Sequence, residues 1–146
     1  MGEKYPVIVV LDSNVFLSAL ITPSGNSASI YEAWRAGRFQ IATCTEQLNE
    51  IKAASRNPKF ADILQPREVG VMLNRLRATR VPEPIPRRYV ASDPTDSFLL
   101  NLAAAVSAHF LITGDKRAGL LQQRTVETTR ILNPAQFCTS VLSRLM

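Results

Sequence analysis

Carboxylates recur at four separated places in this chain, each where an apolar run stops or a helix is due to start. Asp12 closes Val7-Ile8-Val9-Val10-Leu11, and Glu46 and Glu50 fall in Thr45-Glu46-Gln47-Leu48-Asn49-Glu50. Asp93 and Asp96 flank Pro94-Thr95, and Asp115 follows Phe110-Leu111-Ile112-Thr113-Gly114. Carboxylates brought into one pocket repel each other unless a proton or a cation neutralises them. An oxygen-only cluster suits Mg²⁺ or Mn²⁺. A cation held that way activates water and neutralises charge on a phosphate ester, so metal-assisted phosphodiester hydrolysis is the chemistry indicated.

Such a pocket needs elements that bring distant segments to one edge. The unbroken β-branched run at 7–11 predicts a strand buried on both faces. Helices are expected at about 14–20 and 28–36, the second capped by Asn26 or Ser27 and stopped by Gly37. A short strand at 39–43 precedes a helix at about 46–55, which ends before Asn57-Pro58. Pro66 opens a helix with Val69, Leu73 and Leu76 on one face. The proline-rich stretch 81–86 reads as a connector. A helix at 94–108, strands at 110–113 and 130–132, and a last helix from Asn133-Pro134 through 142 complete the order. Strands separated by helices imply a parallel sheet covered on both faces, whose strand carboxyl ends share one ligand-binding edge.

Each acid also has a duller explanation. Asp12 and Asp93 are good helix caps, Asp96 fits a first-turn position, and Glu46 and Glu50 could share a solvated helix face. The duller explanations weaken together, because three of the segments fall at ends of a single predicted sheet edge.

Length and composition fit one domain, residues 1–146, with a core of about 6–140. Lys plus Arg total 17 against 12 Asp plus Glu, a net charge of +5, and 13 of the 17 are arginine. An acidic pocket on a basic, arginine-rich body suits a polyanionic substrate, because arginine grips phosphate bidentately. Six arginines (Arg67, Arg75, Arg77, Arg80, Arg87, Arg88) fall in one stretch with two acids, Glu68 and Glu83. That run is either a solvated face or a nucleic-acid track. No apolar run approaches the roughly 20 residues that span a bilayer, and the N-terminus has no secretory pattern, so the cytoplasm is the expectation. The 2 cysteines lack metal-like spacing and are read as free thiols. The single histidine, His109, is read as a helix-end residue, and Trp34 as core or interface.

Taken in order, Val-Leu-Asp12-Ser-Asn14-Val, Thr45-Glu-Gln-Leu-Asn-Glu50, Asp93-Pro-Thr-Asp96 and Leu-Ile-Thr113-Gly-Asp115-Lys resemble the motifs of PIN domains. Arg56-Asn57-Pro58-Lys59-Phe60 and Ile131-Leu132-Asn133-Pro134-Ala135-Gln136-Phe137 extend the likeness toward the toxin components of toxin–antitoxin systems. The resemblance implies a three-layer α/β/α domain with a central parallel sheet of about 4–5 strands. It implies an endoribonuclease dependent on Mg²⁺ or Mn²⁺ that leaves 5′-phosphate and 3′-hydroxyl ends. Asp12, Glu50, Asp96 and Asp115 match its acidic quartet, with Glu46 the weaker match for the second acid. Asn14, Thr113 and Asp93 match supporting positions. Arg87, Arg88, Lys116 and Arg117 are candidate RNA contacts. The pattern departs after Asp115, where Lys116-Arg117-Ala118-Gly119 precedes Leu120-Leu121. The implied partners are RNA, a cognate antitoxin and a second copy of the chain, with no membrane. A phosphatase of the haloacid-dehalogenase type would want a second acid where Asn14 stands. A catalytically idle module that binds RNA or a partner is the remaining alternative.

Overall fold

The apolar run at the start folds as β1 (Ile8–Leu11), an interior strand of a five-stranded sheet in the order β2-β1-β3-β5-β4. In this computed structural model, which describes residues 6–91, 94–114 and 119–145, the other strands are β2 (Gln40–Ile41), β3 (Phe110–Ile112), β4 (Thr125–Val126) and β5 (Thr129–Leu132). All pairings are parallel except β4 with β5, an antiparallel hairpin at the edge. Beyond β2 the sheet gains one more parallel bridge, Thr43 to Arg80. The sequence reading placed the parallel core correctly. It did not contain β4, whose two residues are too few for a periodic signal.

The helices between the strands are α1 (Ser13–Ile21), α2 (Asn26–Arg35), α3 (Thr45–Ser55), α4 (Pro58–Ala61), α5 (Pro66–Arg77) and α6 (Pro94–Ala105). After β3 come α7 (Leu120–Gln123) and, past β5, α8 (Pro134–Phe137), a π-helical stretch Cys138–Leu142 and α9 (Ser143–Leu145). Several ends differ from expectation. Gly25, not Asn26 or Ser27, caps α2, and no side chain bonds there. Asn57 does not merely stop α3, since its side chain accepts from the Lys59 N–H and starts α4 with Pro58 at its first position. The last helix is not one regular α-helix but passes through the π-helical stretch. Gly37 does stop α2, at φ +79°, a conformation that suits glycine.

Both faces of the sheet are covered. Val9, Leu11 and Ile112 join one cluster with α1, α2, α3, α5 and Phe137; Val10, Leu111 and Ile131 join the other with Phe98, Leu99 and Leu102 of α6. Alternating side chains of β1 therefore enter opposite cores, which is why its sequence is apolar without alternation. Phe137 closes the first core, edge-on to Phe39 and Phe110 at 5.6 Å each.

Candidate metal and phosphodiester site

Parallel strands put their carboxyl ends together, and helices that run back between them start at that same edge. Asp12, Thr113 and the N-termini of α1, α3 and α6 accordingly lie on one side of the sheet. Leu11 pairs with Ile112, so the residue after each strand, Asp12 and Thr113, stands next to the other. The Asp12 N–H donates to the Ile112 carbonyl at 2.9 Å, and the Thr113 N–H to the Leu132 carbonyl at 3.0 Å. The Thr113 hydroxyl donates to Asp12 Oδ2 at 2.8 Å, while Asp12 Oδ1 accepts the Asn14 N–H at 3.3 Å. Asp12 thus caps α1, as the duller reading has it, and faces Thr113 at the same time. Asn14 itself is exposed, and it is its backbone that reaches Asp12.

Asp12 and Asp96 are 5% and 3% exposed, which is unusual for carboxylates and costly unless something compensates their charge. Asp96 lies in the first turn of α6, which packs on β1 and β3 through the second core. Glu50 is half-buried whereas Glu46 is exposed, so Glu50 is the better placed of the two. Its neighbour three residues back explains the setting of α3. Gln47, fully buried, accepts from the Thr43 hydroxyl at 2.6 Å and donates its amide to the Leu11 carbonyl. That amide ties α3 to the end of β1, and residues three apart share a helix face, so Glu50 rides on the tied side.

Asp93, Asp115, Lys116 and Arg117 lie outside the described residues. Among the described residues no three His, Cys, Asp or Glu side chains close into a metal cage. Among the described residues, Asp12, Glu50, Asp96 and Thr113 offer oxygen donors, the kind that fits Mg²⁺ or Mn²⁺. His109 accepts the Ile8 N–H on Nδ1 at 3.0 Å, at the opposite end of β1; α6 stops at Ala105, so His109 stands in the link before β3 and not at a helix end. Cys44 and Cys138 are free, and burial pushes both thiols above their usual range.

The arginine run divides between two faces. Arg67, Arg75 and Arg77 are on α5, whose apolar side belongs to the first core; Arg75 bonds the Tyr31 hydroxyl at 3.0 Å and Arg77 bonds Asn74. Arg75 and Arg35 line an open groove between α2 and α5 beside Trp34. Arg87 and Arg88 lie on a strap that packs through Val81, Ile85, Tyr89 and Ala91 on the second core, next to α6. Arg88 comes within 3.9 Å of Glu127 in the β4–β5 turn. The sequence run is therefore not a single track.

Three further polar residues escaped sequence reading. Glu83 accepts the Thr45 N–H at 3.2 Å and so caps α3 from the proline-rich connector. Asn101 and Ser97, on α6, bond the strap. A lone polar residue inside Phe98-Leu99-Leu100-Asn101-Leu102 was the available signal, since a buried amide needs partners.

Buried aspartates at the carboxyl edge of a mostly parallel sheet, flanked by helices on both faces, define an α/β protein of the acidic-edge type. The chain belongs to the PIN domain family, whose model matches residues 8–117. PIN domains are in general nucleases, and the fold described above is theirs. The chain is also 30% identical over 116 residues to the uncharacterized protein MJ1680 of Methanocaldococcus jannaschii, covering 78% of this chain and 74% of that one. No solved structure gives a significant match. No helix among the described residues is long and apolar enough to cross a membrane.

Proposed function

We propose that this chain is an endoribonuclease dependent on Mg²⁺ or Mn²⁺, the toxin component of a toxin–antitoxin module acting in the cytoplasm. The observation that carries the reading is Asp12, buried at the end of β1 and oriented by the Thr113 hydroxyl at 2.8 Å. A carboxylate fixed from behind by a hydroxyl is the arrangement that orients a metal ligand. Asp12, Glu50, Asp96 and Asp115 would hold the cation, with Asp93 in support. When bound, the cation lowers the pKa of its water and neutralises charge on the scissile phosphate.

The protein's own groups do the rest. Thr113 keeps one oxygen of Asp12 turned to its hydroxyl, and the α1 N–H of Asn14 holds the other. Gln47 keeps α3, and with it Glu50, against the end of β1. Arg87, Arg88, Lys116 and Arg117 would meet phosphates flanking the cleaved one. The excess of arginine makes binding salt-dependent and favours a polyanion. A homodimer and an antitoxin arm laid over the acidic edge complete the proposal; it rests on the likeness of residues 56–60 and 131–137 to toxin components and on a basic body around an acidic site.

The test is cleavage of single-stranded RNA by purified protein with Mn²⁺ or Mg²⁺, with and without chelator. Wild type should cleave, chelator should stop it, and Asp12→Asn should lose turnover by about a hundredfold or more while staying folded. RNA binding without cleavage would leave the idle binding module standing instead. Equal cleavage by wild type and Asp12→Asn would point to a contaminant. Co-purification of a small protein that silences cleavage would support the toxin assignment, and full activity of the protein expressed beside its neighbouring gene product would remove it.

A further inference from the structure

The strap that carries Arg87 and Arg88 has no strand or helix of its own, yet four hydrogen bonds from two side chains of α6 hold its backbone. Asn101, 6% exposed, accepts the Arg88 N–H at 2.9 Å and the Tyr89 N–H at 2.8 Å on one oxygen, and donates to the Tyr89 carbonyl at 3.0 Å. Ser97 accepts the Ala91 N–H at 2.8 Å. The strap therefore runs antiparallel to α6, with Arg88 level with Asn101 and Ala91 level with Ser97. Ser97 follows Asp96 directly, and Asn101 lies about 7.5 Å further along the helix axis. A buried amide that satisfies both donors and acceptor of a neighbouring chain acts as a short strand edge. The result is a basic segment set in fixed register to an acidic helix start.

We propose that Asn101, with Ser97, is a positioning residue for substrate: it clasps residues 88–91 to α6 so that Arg87 and Arg88 stand at a set distance from Asp96 and meet the phosphates next to the one cleaved. The inference rests on the ribonuclease reading above. Neither Asn101 nor Ser97 touches the reacting atoms. Their effect passes through the backbone of the strap to the arginines, and so to the binding of RNA. Without the clasp the arginines keep their charge but lose their register, which costs binding more than chemistry.

The experiment is steady-state cleavage of single-stranded RNA with Mn²⁺ at several salt concentrations, with circular dichroism on every variant. Asn101→Ala should raise KM about tenfold, leave kcat within about twofold and flatten the salt dependence of binding. Asn101→Asp keeps both accepted bonds but replaces the donated one by a repulsion between its carboxylate and the Tyr89 carbonyl, so it should recover only part of the loss. Arg87→Ala/Arg88→Ala should raise KM in the same way, and adding Asn101→Ala to that pair should change little, since both act through one contact. Should Asn101→Ala fail to fold, Ser97→Ala carries the test, with KM raised and kcat unchanged. Unchanged KM in the folded variant, an equal fall in kcat, or full additivity with the arginine pair overturns the clasp while the nuclease reading stands. Absence of cleavage by wild type removes the nuclease reading itself.

Discussion

Asp12 and the strap arginines are held in place by different means. Asp12 is set by the sheet: its own N–H is bonded to Ile112, its neighbour strand is bonded to β5 through Thr113, and its side chain caps a helix. The strap is tied by backbone only at its start, where the Val81 N–H donates to the Thr43 carbonyl at 2.9 Å; around Arg87 and Arg88 the described ties are side chains: Asn101, Ser97, and the Tyr89 hydroxyl on Glu127 at 2.6 Å. Backbone ladders are insensitive to most single substitutions, whereas a side-chain clasp can be released by one. Asp12 is thus built into the fold, and the strap that carries Arg87 and Arg88 is attached to it.

The largest effect expected from this contrast is on stability. Gln47 is a side-chain tie on the sheet side that no ladder replaces, because it bridges α3, Thr43 and the Leu11 carbonyl while fully buried. Gln47→Ala leaves buried polar groups without partners and a cavity, so a loss of about 2–4 kcal/mol is expected. For a chain of this size that lowers Tm by on the order of 10 °C, readable by thermal unfolding. Ser97→Ala, on the strap side, removes one bond from a partly exposed backbone and should cost about 1 kcal/mol or less. Equal melting shifts for the two variants would erase the distinction between the two ends.

A subtler effect separates orientation from folding on the sheet side. Thr113→Val is nearly the same shape and removes the hydroxyl that donates to Asp12 Oδ2. Loss of an outer-shell bond of this kind typically costs about 10–100-fold in metal affinity or activity. Mn²⁺ titration and turnover should both fall in that range while the far-ultraviolet spectrum is kept. If Mn²⁺ affinity and turnover match wild type, the Thr113 hydroxyl supports packing and not the ligand.

Much of the sheet end was legible in the sequence, and little of the strap end was. Val7 to Leu11 had to be an interior strand because both its faces enter cores, and Asp12 had to stand at its end. Val69, Leu73 and Leu76 fixed the buried side of α5 by their spacing, and Met72 joins them. Gly37 announced a helix stop because few other residues tolerate its φ. The strap carried no such periodicity. Its place depends on Asn101, a residue thirteen positions later than the Arg88 N–H it binds, and on Glu127, 38 positions from Tyr89. Side-chain bonds over such separations leave no local pattern. The same holds for Glu83, which caps α3 from 38 residues away. The arginine run misled for the related reason that nearness in sequence was read as nearness in space. The chain crosses from one face of the sheet to the other between Arg77 and Arg87.

The smallest effect expected lies at the outer tie of the strap, and it has a definite sign in pH. The Tyr89 hydroxyl donates to Glu127, and that bond, with a lesser part from burial and from the Glu127 charge, raises the phenol above its usual value of 10.0. Arg88 opposes the shift only weakly. A phenol whose pKa is higher in the folded state favours folding while it is protonated. The contribution is therefore complete below the unfolded value of 10.0 and is lost as pH rises through the folded one. Tyr89→Phe removes the donor, so wild type should be the more stable protein near neutrality and the gap should close in alkali. Tyrosinate absorbance supplies a second reading, since one of the 3 tyrosines should titrate late in wild type and that component should vanish in the variant. A gap in melting temperature that stays constant up to strongly alkaline pH would mean that Glu127 does not hold the phenol, and that residues 88–91 are held through Asn101 and Ser97 instead.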